Sequence, residues 1–246
     1  MRTQQCRPFR RDLAEKTKLV GSGLALVLVA SLAQAGPVEN RDAALRGADR
    51  LLEVQFSSGA FPWIIGQSGE FQNVQGVTAI ALLDAFTLSL DLSYLGDETA
   101  RTGAAGTVAW LTDYFNADPA NRFSSGSFFF LAKYALLTGD TGALQMANDG
   151  LDRSILFYGS ATALAELIVQ ARKNQGHTLL GIWDVALFVR GAQDIGRTEE
   201  ADDMAAVLLD QVENQTIVDP YDDTANWYEI GLSGLLFGLA ESDVAA

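Results

Sequence analysis

Apolar positions recur along this chain at three- and four-residue spacing, with no sustained two-residue alternation of the kind that marks strands. The spacing predicts helices near 40–55, 74–91, 98–115, 127–138, 141–156, 160–173, 178–194, 197–214 and 224–241. They are of two kinds. Those at 74–91, 127–138, 178–194 and 224–241 are rich in Leu, Phe, Ala and Gly nearly all round, whereas 98–115 and 197–214 carry a polar face, as in Glu199, Glu200, Asp202 and Asp203. Tyr94-Leu95-Gly96-Asp97 and Leu137-Thr138-Gly139-Asp140 repeat one another, and Ile195-Gly196-Arg197 is a weaker third copy. In each, a glycine closes one helix and a polar residue opens the next, which predicts tight antiparallel turns and stacked helical hairpins.

Between Arg46 and Phe61 the pattern becomes specific. Leu45, Ala48, Leu51, Leu52 and Gln55 share one helix face, and the helix is expected to stop at Phe56-Ser57-Ser58-Gly59. There the Gln55 amide can reach the free carbonyls of the helix end and the following loop, while Phe61 and Trp63 close the junction with the next helix. Phe123-Ser124-Ser125-Gly126-Ser127-Phe128 repeats the phrase, so the motif is expected to be a repeated architectural element. Arg46, Gly47, Leu51, Gln55, Gly59 and Phe61 together resemble the repeat of the terpenoid cyclase and prenyltransferase superfamily, with Arg50 in the place of a usual aromatic and Phe61 in that of a usual Trp. The resemblance implies an all-α fold, an α/α toroid-like array in which buried inner helices stand inside amphipathic outer ones. Complete toroids of this kind use about six hairpins, and this chain offers four to five: an open arc, a small toroid or part of an oligomer.

If inner and outer helices alternate, the inner N-termini converge on one end, where their partial positive charge favours anions. The loops before those helices supply Trp63, Glu70, Asn73 and Gln75, then Arg122, then His177 with Asp184, then Asp219, Tyr221, Asp222, Asp223, Trp227 and Tyr228. Glu70, His177, Asp184, Asp222 and Asp223 are the candidate catalytic groups; Trp63, Gln75, Arg122, Tyr221, Trp227 and Tyr228 are the candidate ligand contacts. Aromatics beside carboxylates suit a carbohydrate or a carbocation. Capping is the plainer role: Asp223 precedes Thr224 as an N-cap residue would, and His177 precedes Thr178.

Three functions compete for this end of the molecule. Asp222-Asp223-Thr224-Ala225 resembles the Asp-x-Asp-Asp-Thr-Ala motif of class II terpenoid cyclases, whose middle aspartate protonates an alkene, but Pro220 stands at the first Asp and Asp219 lies one residue early. A glycoside hydrolase would need two facing carboxylates, or one carboxylate acting on an unsaturated sugar, drawn from Glu70, Asp184, Asp222 and Asp223. A polysaccharide lyase would need a base, Arg122 or His177, and a cation site made from aspartates. Without a complete catalytic motif, the leading reading is a protein that binds a glycan, an isoprenoid or other lipid, or a protein.

Composition narrows the field. Residues 1–35 read as a signal peptide: six basic residues, the 15-residue apolar run Leu19–Ala33, too short for a comfortable membrane span, and Ala33-Gln34-Ala35 as a cleavage site. Arg10-Arg11 leaves the general and twin-arginine export routes both open. The domain is then 36–246, with 11 basic and 29 acidic residues, a charge that repels nucleic acid. No later segment is long and apolar enough to span a bilayer. Cys6 falls in the leader, which excludes disulfides from the exported chain, and His177 is the one histidine, so no Cys/His zinc site can be assembled. That sets aside the zinc-dependent protein prenyltransferases and lanthionine cyclases of the resembled superfamily, and its Cys-based thioester domains. No cofactor and no metal are called for.

Overall fold

The computed structural model describes residues 37–88, 98–213 and 237–239, and is all-α. Its helices are α1 (Pro37–Val54), α2 (Gln72–Leu88), α3 (Glu98–Ala117), α4 (Ser125–Thr138), α5 (Thr141–Tyr158), α6 (Ala161–Asn174), α7 (Thr178–Asp194) and α8 (Thr198–Glu213). Each predicted helix from 40 to 214 is present within a few residues of its expected ends. Of the last one, 224–241, only Phe237–Leu239 fall among the described residues, and these are helical. The leader and the Tyr94–Asp97 turn lie outside them. Two compact units divide the chain at Gly47/Ala48, inside α1, and the second, from Ala48 onward, holds the packed helices.

The core of this second unit is a row of three helices, α2, α4 and α7. Gly76 lies against Gly126 and Asp84 pairs with Lys133 at 2.5 Å, so α2 and α4 run in the same direction. The Ser125 hydroxyl donates to Asp184 and Phe128 stacks on Phe188, so α4 and α7 are parallel too. The row is apolar to the point of lacking a polar stripe: Phe128, Phe130, Leu131, Leu82, Leu83 and Ile182 are all fully buried. Close approach is possible because the contact between α2 and α4 is made of glycine. A Cβ at Gly76 would stand 2.2 Å from the Gly126 carbonyl oxygen, and one at Gly126 would stand 2.4 Å from Val77 Cγ1. The described tip at Phe237–Leu239 joins this row, with Phe237 edge-on to Phe129 and Gly238 packed on Ala186.

The polar-faced helices flank the row. α3 packs on α2, α5 on α4, and both α6 and α8 on α7, with α6 also touching α5 and α8. The turns between them use the predicted chemistry. Gly139 closes α4 at φ 70°, and Asp140 opens α5 by accepting from the Gly142 and Ala143 amides at 2.9 Å. Gly196, at φ 78°, separates α7 from α8 in the same way. One junction departs from the two-helix hairpin: α5 and α6 follow each other across Gly159-Ser160 with a 75° bend, so two helices rather than one lie between α4 and α7 along the chain. Among the described residues no single helix is long and apolar enough to cross a membrane.

The repeated phrase proves to do two different things. In its first copy Phe56–Gly59 follows the end of α1, and Gln55 Nε2 donates to Gly59 O and Gly103 O, both at 2.8 Å, and to Thr107 Oγ1 at 3.1 Å. In its second copy Ser124 is an N-cap, accepting from the Ser127 amide, and Ser125-Gly126 begin α4. The same letters end one helix and start another. The expectation of one repeated architectural element is thereby corrected: Phe56-Ser57 is preceded by a helix with a reaching glutamine, whereas Phe123 is preceded by the loop 118–122.

Candidate functional site

The residues expected to gather at the inner N-termini divide into a clamp, a cleft and a remainder. Gln75 belongs to the clamp. It is wholly buried in the first turn of α2, its Oε1 accepts from the Phe61 amide at 2.6 Å, and its Nε2 donates to Phe61 O at 3.0 Å and Phe71 O at 2.9 Å. Every one of those bonds is to backbone, so Gln75 holds the 61–71 loop and presents nothing to a ligand. Glu70, at the base of the same loop opposite Pro62, is exposed; it accepts from Ser58 Oγ at 2.6 Å and from Trp110 Nε1 at 2.8 Å. Phe61 packs into the core as expected, but Trp63 does not: it is 56% exposed, beside exposed Ile64 and Ile65. Asn73 is exposed on the first turn of α2.

Arg122 and Asp184 do come together. They line a cleft of about 460 Å³ with Ser124, Ser125, Ser154, Tyr158, Arg172 and Gln175 as its other polar walls. The apolar side is Leu164, Leu167, Ile168 and Ala171 from α6, with Phe123 and Phe188 below. The cleft sits at the N-terminal end of α4, between the end of α5 and the length of α6, and beside the second and third turns of α7. It lies beside the contact between α4 and α7, walled by α6 where that helix follows the bend from α5.

Each polar wall is held by local structure. Asp184 accepts from Ser125 Oγ at 2.7 Å and from Arg172 Nε and Nη2 at 2.9 Å, so both of its oxygens are engaged. Arg172 lies in the last turn of α6, where a cation is favoured by the helix dipole, and its Nη1 also reaches Gln175 Oε1 at 3.4 Å. Arg122 is held differently. Its guanidinium lies 3.6 Å over the Phe157 ring and donates one bond, Nη1 to Ala120 O at 3.2 Å. Among the described residues no carboxylate forms an ion pair with it. Its loop is fixed from below by Arg153 of α5, which donates to Phe115 O and Asn121 O, each at 2.9 Å, and stacks on the Phe115 ring at 3.3 Å.

His177 stands at the N-cap position of α7, as expected, but its side chain makes no capping hydrogen bond and it is not among the cleft-lining residues. Tyr221, Asp222, Asp223, Trp227 and Tyr228 lie outside the described residues, as does Asp219. Among the described residues no three His, Asp, Glu or Cys side chains converge as metal ligands would. Sequence reasoning missed Arg172, Ser125, Tyr158 and Gln175. Two of these carried a signal: Arg172 is one of the few cations in an acidic chain and ends a helix, and Ser125 sits in the repeated Phe-Ser-Ser-Gly phrase. A search of protein-family models, curated proteins and solved structures finds no significant match to the chain.

Proposed function

We propose that the chain is an exported, acidic helical-repeat protein of the terpenoid cyclase and prenyltransferase toroid type, and that it binds a ligand in the cleft at the N-terminal end of α4. The observation that carries this reading is convergence. Arg122 from the loop before α4, Ser125 from α4, Arg172 from α6 and Asp184 from α7 meet around one concave space of a size suited to a small organic ligand. The parallel row α2, α4 and α7, flanked by polar-faced helices, is the arrangement a toroid-type array would need. Binding is favoured over hydrolysis by the chemistry of the lining. The usual route of glycoside hydrolysis requires two facing carboxylates. Among the described lining residues Asp184 is the one carboxylate, and its oxygens are spent on Ser125 and Arg172.

The test is a thermal-shift screen of glycans, isoprenoid alcohols, aliphatic acids and peptides against the full chain and against Ala171→Trp, which fills the cleft from an exposed position on α6. A ligand at about 100 times its Kd should stabilise the native chain by about 2.7 kcal/mol and leave Ala171→Trp unmoved. A ligand that shifts both proteins equally binds elsewhere, and the reading fails.

A further inference from the structure

The walls of this cleft are more selective than a general ligand site requires, and they limit what the ligand can be, provided the cleft has the binding role proposed for it. Around it stand two guanidinium groups and one carboxylate. Arg172 and Asp184 neutralise each other through two contacts at 2.9 Å, which leaves the charge of Arg122 uncompensated among the described residues. The guanidinium of Arg122 is pre-positioned: one face rests on Phe157, and a single long hydrogen bond uses one of its five N–H groups. The first turn of α4, with Ser124 and Ser125 in the wall, adds the positive end of a helix dipole to the same side. The opposite side, Leu164, Leu167, Ile168 and Phe188, offers hydrocarbon and no hydrogen-bonding groups.

We infer that the cleft takes a monovalent organic anion with an aliphatic body, a carboxylate whose oxygens meet Arg122 and whose chain lies along α6. One net positive charge matches one negative charge. A polyanion such as a diphosphate would leave charge unpaired, and an uncompensated charge in a partly desolvated site is costly. A glycan could meet the polar walls but would place its remaining hydroxyls against Leu164, Leu167 and Ile168, leaving those without partners. The site is also opposite in sign to the molecule around it, which carries 17 basic and 31 acidic residues. Selection of an anion therefore comes from short-range contacts to Arg122 rather than from the field of the whole chain, which repels anions.

The experiment is isothermal titration of the full chain with octanoate, octanamide and a neutral maltooligosaccharide, repeated on Arg122→Gln, Ala171→Trp and, as a charge control, Arg50→Gln. Arg50 is exposed on α1 and pairs with Glu53, away from the cleft. Octanoate should bind the native chain at least about tenfold more tightly than octanamide, the ratio expected of one charge-assisted hydrogen-bonded pair. Arg122→Gln should erase that preference and Arg50→Gln should keep it. Equal binding of octanoate and octanamide to the native chain, or maltooligosaccharide bound in their place, with Ala171→Trp abolishing it, overturns the anion inference and leaves the binding site standing. Loss of the preference in Arg50→Gln as well assigns it to bulk charge and also overturns the inference. No binding by any of the three ligands overturns the anion inference and leaves the binding reading to the thermal-shift screen, whereas octanoate binding that survives in Ala171→Trp overturns both.

Discussion

A glutamine side chain holds two acceptor and two donor positions, and Gln75 spends three of the four on the backbone of a single loop. Because the site is completely buried, no water replaces a lost bond. Gln75→Leu should therefore cost about 3 kcal/mol in denaturant unfolding, the penalty for leaving the Phe61 amide and carbonyl unsatisfied. Gln75→Glu, nearly identical in shape, should be worse at neutral pH, since a carboxylate would face Phe61 O and Phe71 O with acceptors only. Gln55 performs the equivalent service at the end of α1 by joining Gly59, Gly103 and Thr107. Its reach into the following loop, to Gly59, was legible in the sequence, whereas its bonds to Gly103 and Thr107 of α3, 48 and 52 residues away, were not. Gln75 was not legible: a polar residue opening an apolar helix reads equally as a ligand contact or an internal clamp, and the distinction is made by where Phe61 packs. The same holds for Glu70, whose partners Ser58 and Trp110 lie 12 and 40 residues away.

At the scale of elements, the loop before α4 is shaped by a neighbour distant in sequence. Arg153 of α5 satisfies the carbonyl of Phe115 at the end of α3 and that of Asn121, the residue before Arg122. Arg153→Ala should lower stability by about 2 kcal/mol, as expected for losing hydrogen bonds to a charged donor at a partly buried site. It should also weaken ligand binding in the cleft without touching a lining residue, and comparing unfolding curves with titrations of the same variant separates the two effects. Helix positions and turn residues were readable because each depends on residues within about five positions: Gly139-Asp140 states both the end of α4 and the start of α5. The cleft was only half readable. Arg122 and Asp184 were singled out as residues near helix N-termini, and α4 packing on α7 brings them together; that α6 would wall the space with Arg172 depends on the 75° angle at Gly159-Ser160, which the turn residues mark but do not measure.

The whole molecule carries a net charge of −14, and among the described residues Lys133, Arg172 and Arg197 are cations that tie separate helices together. Arg197, at the entry to α8, pairs with Glu200 and with Asp152 of α5, the latter at 2.8 Å. The hydrogen bond from Arg197 holds the Glu200 carboxyl below its ordinary value near 4.5, and Arg101 does the same for Glu98. A carboxyl depressed in the folded chain contributes stability above its unfolded value, and that contribution is lost as pH falls through the folded one. Glu200→Gln should thus cost about 1 kcal/mol at pH 7, allowing for partial exposure, and progressively less as pH falls from about 4.5 through the lower folded value, where the native carboxylate takes up its proton. Denaturation midpoints of both proteins across that range check the sign.

The break at Gly159-Ser160 has a consequence for how such a protein can change over time. The row α2, α4, α7 is joined through glycine contacts and stacked phenylalanines that leave almost no freedom for substitution. The wall that α6 gives to the cleft is freer by comparison, since Leu167 and Ala171 are exposed. Side chains there can change in size while the Gly76–Gly126 contact that joins the row is kept. The α6 wall beyond that break is thus the dial on which a new ligand preference could be set, at little risk to the fold that carries it.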